Sequence, residues 1–371
     1  MQADIFCRVV DNYGDIGVCW RLARRLAHGH GWDVRLWVDD LASFVRIQPG
    51  IDPGAARQAC QGVDVVRWSA TPGPGLAARD VVIEAFACDP PDTFLDSMRQ
   101  RHPAWVNLEY LSAEAWVESC HGLPSQRPDG LVKHFFFPGF TPATGGLLRE
   151  PGLSAERDAF QADPAAQEAF LRGLGVADGL LSLRRNGART MSLFCYPGAP
   201  VDALARALAA DTRPTLLLAP VGVAPGLEAA CALPGGPAVA RLPFVAQPDF
   251  DRVLWCADLN FVRGEDSFVR AAWAARPLVW QIYPQAGNIH LEKLDAWLAR
   301  YPAPAPAADL IRAWNQADAA TAAEAALAAA LEPGPWQAWN QAARDWDAAQ
   351  AARPDLAESL AVFCAELAKK R

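Results

Sequence analysis

The chain has 371 residues, 51% of them hydrophobic, which is enough for two domains with substantial cores and excludes a disordered polymer. Its net charge is −8 and it has no long Lys/Arg block, which argues against a broad nucleic-acid footprint. An acidic surface can still receive one basic feature of a protein partner.

The opening MQADIFCRVVD reads as a strand and lacks the basic and long apolar regions of a signal peptide. No apolar run reaches membrane-spanning length, so a membrane is not an expected partner, and without a basic block neither is a nucleic acid. Nine cysteines lie scattered, in apolar segments such as Ser192-Leu193-Phe194-Cys195, without C-x-x-C or Cys/His ligand spacing. Reduced core thiols in a cytoplasm are therefore expected rather than disulfides or zinc.

In chain order, Asp4–Val10 alternates as a strand, Val18–Leu26 has apolar residues at helical spacing, and Trp32–Val38 is the next strand. Val81–Phe86 and Trp105–Leu108 are short apolar runs between polar residues, the pattern of buried parallel strands. Ser154–Leu174 is polar, Ala-rich and helical in pattern, a bridge to a second unit. There the strand pattern restarts with Ser192–Tyr196, Thr215–Ala219, Val239–Phe244, Leu259–Val262 and Leu278–Tyr283. His290–Leu298 is an amphipathic helix, Ala-rich helices follow from Pro306, and Pro354–Lys369 is a last helix. The expected fold class is α/β, with two Rossmann-like domains facing each other across a cleft. They are expected over residues 1–178 and 179–352, with 353–371 returning to the first.

The first candidate site is Asp11-Asn12-Tyr13-Gly14-Asp15-Ile16-Gly17, between the first strand and the first helix. Its bland explanation is a helix cap with turn-forming glycines. Its functional explanation is a pair of carboxylates, Asp11 and Asp15, suited to acid/base work or to gripping a guanidinium bidentately.

The second runs from Phe244 to Ser267. Phe244 and Phe250 can sandwich a flat base while Gln247 bonds its edge, or all three can be ordinary core and loop residues. The turn Arg263-Gly264-Glu265-Asp266-Ser267 joins a strand to a helix, a junction that favours anions. Ser267 and Asp266 are explained by capping alone, whereas Arg263 and Glu265 are not. Arg263 suits a diphosphate, and Glu265, which would repel one, suits sugar hydroxyls. Tyr196, at a strand end, either reaches the same site or lies at the surface.

The segments DNYGDIGVCWRLARRLA (11–27), NLEYLSAEAWV (107–117), KHFFFPGF (133–140) and CADLNFVRGEDSFVRAAWAARPLVWQIYPQ (256–285) resemble the elongation factor P arginine rhamnosyltransferases, in order and over nearly the whole chain. Gln281 departs from the histidine expected more often there, and the Ala-rich Ala303–Leu331 carries no matching motif. The resemblance implies a cytoplasmic, inverting, metal-independent GT-B glycosyltransferase without a cofactor. Its donor would be dTDP-β-L-rhamnose and its acceptor an arginine of elongation factor P, which rhamnosylation activates for translating polyproline stretches. The family's essential acids fall on Asp11, Asp15 and Glu265, and its base-binding residues on Phe244, Gln247 and Phe250. Its diphosphate contacts fall around Arg263, Gly264, Asp266 and Ser267, with Tyr196. Asn12, Tyr13, Gly14 and Gly17 would form a backbone loop near the donor sugar. Three other readings remain open from the residues alone: a GT-B enzyme with a small-molecule or glycan acceptor, a non-catalytic nucleotide-sugar sensor, and a nucleotide-sugar epimerase.

Overall fold

The computed structural model describes residues 1–10, 13–68 and 76–369. The chain divides into two units, Met1–Pro151 with Gln350–Arg371, and Gly152–Ala349.

Among the described residues, the first unit holds one eight-stranded sheet: β1 (Gln2–Cys7), β2 (Asp33–Val38), β3 (Arg57–Cys60), β4 (Val63–Arg67), β5 (Val81–Ala85), β6 (Ala104–Leu108), β7 (Pro124–Gln126) and β8 (Val132–Phe136). Their spatial order is β3-β4-β2-β1-β5-β6-β8-β7. All pairings are parallel except those of the edge strands β3 and β7 with their neighbours. Side chains alternate between faces, so β1 feeds two cores. Ile5 and Cys7 pack with Ile16, Cys19 and Trp20 of helix Gly14–Arg24 and with Leu356, Leu360 and Cys364 of helix Leu356–Lys369. Phe6 joins Trp37, Phe94 and Trp105 on the other face, stacking on Trp37 at 5.2 Å. Asp4, fully buried in the sheet, is compensated by the Arg35 guanidinium, the Trp37 indole N–H and the Arg79 backbone N–H.

The second unit has five parallel strands, β9 (Arg189–Leu193), β10 (Thr215–Pro220), β11 (Ala238–Leu242), β12 (Leu259–Arg263) and β13 (Leu278–Gln281), ordered β11-β10-β9-β12-β13. Taken in chain order within the unit this is 3-2-1-4-5, the Rossmann order. The parallel strands of the first sheet repeat it around β1. The strand order reverses between β1 and β5 in one unit and between β9 and β12 in the other. Ligands of open α/β sheets bind outside the carboxyl ends of the strands at such a reversal.

The division at Pro151 corrects the boundary expected at residue 178. Helices Leu153–Gln161, Pro164–Gly173 and Asp178–Arg185 belong to the second unit because their apolar faces are spent there. Leu171, Val176 and Leu181 share a core with Leu216, Leu218 and Leu242. Phe160 packs on Trp255, and Arg157 donates to the Trp273 carbonyl and pairs with Asp347 at 2.8 Å. The chain re-enters the first unit at Gln350, three residues before the expected position.

Candidate active site

In the first unit the loop after β1 leads into helix Gly14–Arg24. Asp11 and Asn12 lie outside the described residues. Tyr13 is the helix N-cap and accepts the Gly17 N–H at 2.9 Å, and Gly14 is the first helical residue. Asp15 sits in the first turn and does not cap the helix. It is 2% exposed. One carboxylate oxygen accepts the Val10 backbone N–H at 2.8 Å, and the other accepts the Tyr110 hydroxyl at 3.3 Å.

Tyr110 follows β6 and stacks on Phe86 with ring centroids 4.2 Å apart. Phe86, Ala87 and Asp89, after β5, have left-handed φ values of 58°, 54° and 44°. Backbone of that kind costs ~1 kcal/mol or more per residue and persists where the surroundings enforce it. Here the Phe86 N–H is held by the Leu108 carbonyl at 2.7 Å and the Ala87 N–H by the Asn107 side chain at 3.0 Å. Beneath the loop, fully buried Glu84 pairs with Lys133 at 2.6 Å. Burial pushes the Glu84 carboxyl above its ordinary value, against the pull of Lys133. Asn107, Tyr110 and Lys133 belong to segments whose purpose sequence reasoning left unstated. Asn107 and Lys133 brace the loop after β5, and Tyr110 stacks on that loop and touches Asp15, at the β1/β5 reversal.

In the second unit β9 and β12 end side by side. Arg263 closes β12, donates to the Cys195 carbonyl at 3.0 Å, and lies over the rings of Phe194 (4.4 Å) and Tyr196 (4.9 Å). It has no ion-pair partner among the described residues. Cys195 supplies only its carbonyl, since burial pushes its thiol up to about 11. Gly264 follows with φ 62°, a left-handed conformation that favours glycine. Its N–H reaches the Gln281 carbonyl at 3.1 Å and its carbonyl takes the Trp280 indole N–H at 2.7 Å. Glu265 is the N-cap of the seven-residue helix Asp266–Ala272, which Asp266 opens. Ser267, expected as a cap, instead closes the turn: its hydroxyl accepts the Arg263 N–H at 3.2 Å and donates to the Arg263 carbonyl.

Phe244 is 39% exposed in the segment after β11. Gln247, the first residue of helix Gln247–Trp255, is buried, so it is not a free loop amide. Phe250, one turn on, meets Phe194 edge to face at 5.6 Å. Phe194 thus joins Phe250 to Arg263, a link sequence reasoning missed. It also missed the buried pair of Asp251 and Arg270, joined by bonds of 2.9 and 2.6 Å between the two helices that carry the site. Tyr196 is buried, packs edge-on against Tyr283 at 5.7 Å, and donates its N–H to Gln281 Oε1 at 2.7 Å. The departure noted at Gln281 therefore falls on a residue that holds the site's backbone. Among the described residues no cluster of His, Cys, Asp or Glu has the makings of a metal site, and no helix is long and apolar enough to cross a membrane.

The fold is that of the GT-B glycosyltransferases. A UDP-glucosyltransferase from Polygonum tinctorium, 12% identical, aligns over 99% of this chain and 98% of its own with a TM-score of 0.55, a likeness of fold alone. Sequence carries the assignment further. Residues 3–365 match the family model for the elongation factor P (EF-P) rhamnosyltransferase EarP, and the chain belongs to that family. A protein-arginine rhamnosyltransferase of Pseudomonas putida is 51% identical over 97% of both chains. A structure described as the basis for EarP-mediated arginine glycosylation of translation elongation factor EF-P is 37% identical, with a TM-score of 0.67 over 98% of this chain and 99% of its own.

Proposed function

We propose that this protein transfers L-rhamnose from dTDP-β-L-rhamnose to an arginine side chain of elongation factor P, with inversion and without a metal. Membership of the family, end to end, is the observation that carries this reading. The site supports it: an arginine whose charge meets no carboxylate among the described residues stands at the reversal of the second sheet, among aromatic rings suited to a nucleotide.

A guanidinium is a poor nucleophile, since its pKa exceeds ~12 and its lone pairs are delocalised. Asp11 and Asp15 grip it, and Asp15 serves as the base. One guanidinium nitrogen attacks C1 of the sugar, the bond from C1 to the diphosphate oxygen breaks, and dTDP leaves with the electron pair. The nitrogen's proton passes to Asp15. Asp15 accepts the Val10 N–H and the Tyr110 hydroxyl, and of these two bonds the one to Tyr110 is the longer. That bond is the one the acceptor replaces. Arg263 and the N–H groups opening helix Asp266–Ala272 stabilise the departing diphosphate, the place of largest charge change. Glu265 orients the sugar through its hydroxyls, and Phe244, Gln247 and Phe250 hold the base, with Tyr196 beside the diphosphate.

Incubation with dTDP-rhamnose and elongation factor P, in buffer containing a chelator, should add one deoxyhexose to the acceptor, read by mass spectrometry. Asp15→Asn should abolish that transfer while binding dTDP as wild type does. Wild-type turnover in this variant would remove Asp15 as the base.

A further inference from the structure

A cavity of about 460 Å³ opens at the other end of the second sheet, where β9 and β12 begin. The strands run parallel, so this edge is separated from Arg263 by the length of β12, roughly 16 Å. Four arginines line the cavity, Arg184, Arg185, Arg213 and Arg276, against two carboxylates, Glu168 and Asp258.

Three of these arginines have protein partners. Arg185 pairs with Glu168 at 2.6 Å, Arg184 bonds Gln167 and the Cys256 carbonyl, and Arg213 donates to the Gly187 carbonyl at 2.9 Å. Arg276 is different. Among the described residues it has no hydrogen bond or ion pair, although its Nε is out of contact with solvent. Burial holds its guanidinium below the ordinary value; Asp258 offsets part of this, and Arg344, Arg157 and Arg184 push the same way as burial. Thr190, also in the lining, is 1% exposed, and its hydroxyl has no partner either. Its N–H donates to the Asp258 carboxylate at 2.9 Å and its carbonyl accepts the Asp258 N–H at 2.7 Å, so the backbone that carries the hydroxyl is held in place. A half-buried cation and a buried hydroxyl without acceptors are costly unless an acceptor joins them.

We propose that this cavity is a second ligand site, for a small phosphate-bearing anion, held by Arg276 and the Thr190 hydroxyl with Arg184, Arg185 and Arg213 around it. The donors converge from a helix, a strand start and two loops. A tetrahedral oxyanion offers acceptors in all those directions, whereas a carboxylate offers two in one plane. The volume admits a phosphorylated small molecule as well as inorganic phosphate.

Calorimetry with inorganic phosphate and, in parallel, glycerol phosphate tests this, at ionic strength matched with potassium chloride. The two titrations show whether free phosphate or a monoester fits better. Because phosphate can also meet the donor turn, the decisive background is Arg263→Ala. Saturable binding should persist in that variant, and adding either Arg276→Gln or Thr190→Val should weaken it about tenfold or more. Thr190→Val preserves shape, so it remains informative if Arg276→Gln folds poorly. Binding lost in Arg263→Ala, binding unchanged by both cavity substitutions, or no saturable binding in wild type each overturns the proposal.

Discussion

Replacing Arg263 by lysine keeps the positive charge and removes the planar fork. In the structure one N–H of that fork is committed to the Cys195 carbonyl at 3.0 Å, and the plane lies over Phe194 and Tyr196. The remaining donors are those proposed to meet a diphosphate. A lysine ammonium is a compact, strongly hydrated point charge and does not reproduce both contacts. Losing one charge-assisted hydrogen bond costs ~1.5–3 kcal/mol, which corresponds to a Kd for dTDP weaker by about ten- to 150-fold. The fold should lose only about 1 kcal/mol from the Cys195 bond, because an ammonium retains part of its attraction to the rings. Calorimetry with dTDP measures the first effect and urea unfolding the second. If dTDP affinity stays within twofold of wild type while the fold is intact, Arg263 does not hold the diphosphate, and the placement of the donor at the β9/β12 reversal falls with it.

Three further outcomes follow from geometry. Asp251→Asn should destabilise the protein by ~3–5 kcal/mol in urea, because it breaks a buried two-bond ion pair with Arg270, itself 2% exposed; a loss below about 1 kcal/mol would contradict this. Burial alone would raise the Asp211 carboxyl, but Arg189 and the Arg213 N–H hold it below its ordinary 3.8. Its contribution is therefore present above the unfolded value and disappears as pH falls through the lower folded value. Asp211→Asn should cost about 1 kcal/mol at pH 7, modest because the carboxylate is partly solvated, with the gap to wild type closing as pH drops below 3.8; a constant gap from pH 7 to 3 would refute the assignment. All nine cysteines are free and eight are buried, with burial pushing Cys231 up to about 11 and Cys256 to about 12. Under native conditions Ellman's reagent should titrate one thiol quickly, that of Cys120, and all nine only in denaturant; several fast thiols would mean the cores are not closed.

The parts legible in the sequence were those whose burial is written as composition. β5 and β6 are covered on both faces and are read directly as apolar runs, each interrupted by one polar residue, Glu84 or Asn107. The edge strands β3 and β7 are short and polar, and the pairing that makes them strands comes from their neighbours. The boundary went astray for a related reason. The helices from Leu153 to Arg185 announce an apolar stripe, but periodicity does not say which core receives it. In the site, the Arg263–Ser267 turn was visible because charge and glycine sit together in five residues. Phe194 was not, since its role comes from the adjacency of β9 and β12, which no local pattern encodes. Tyr110 was likewise hidden, because its contact with Asp15 spans 95 residues.

The first unit is interrupted by the second: the chain leaves it at Pro151 and returns at Gln350. Leu356, Leu360 and Cys364, which complete the core beneath β1, are synthesised after every residue of the inserted unit. On the ribosome, then, the second unit has its full complement of residues while the first still lacks a wall. The carboxylate proposed as the base sits on helix Gly14–Arg24, which packs on that waiting sheet, so its surroundings are completed only after the unit proposed to hold the nucleotide has been synthesised.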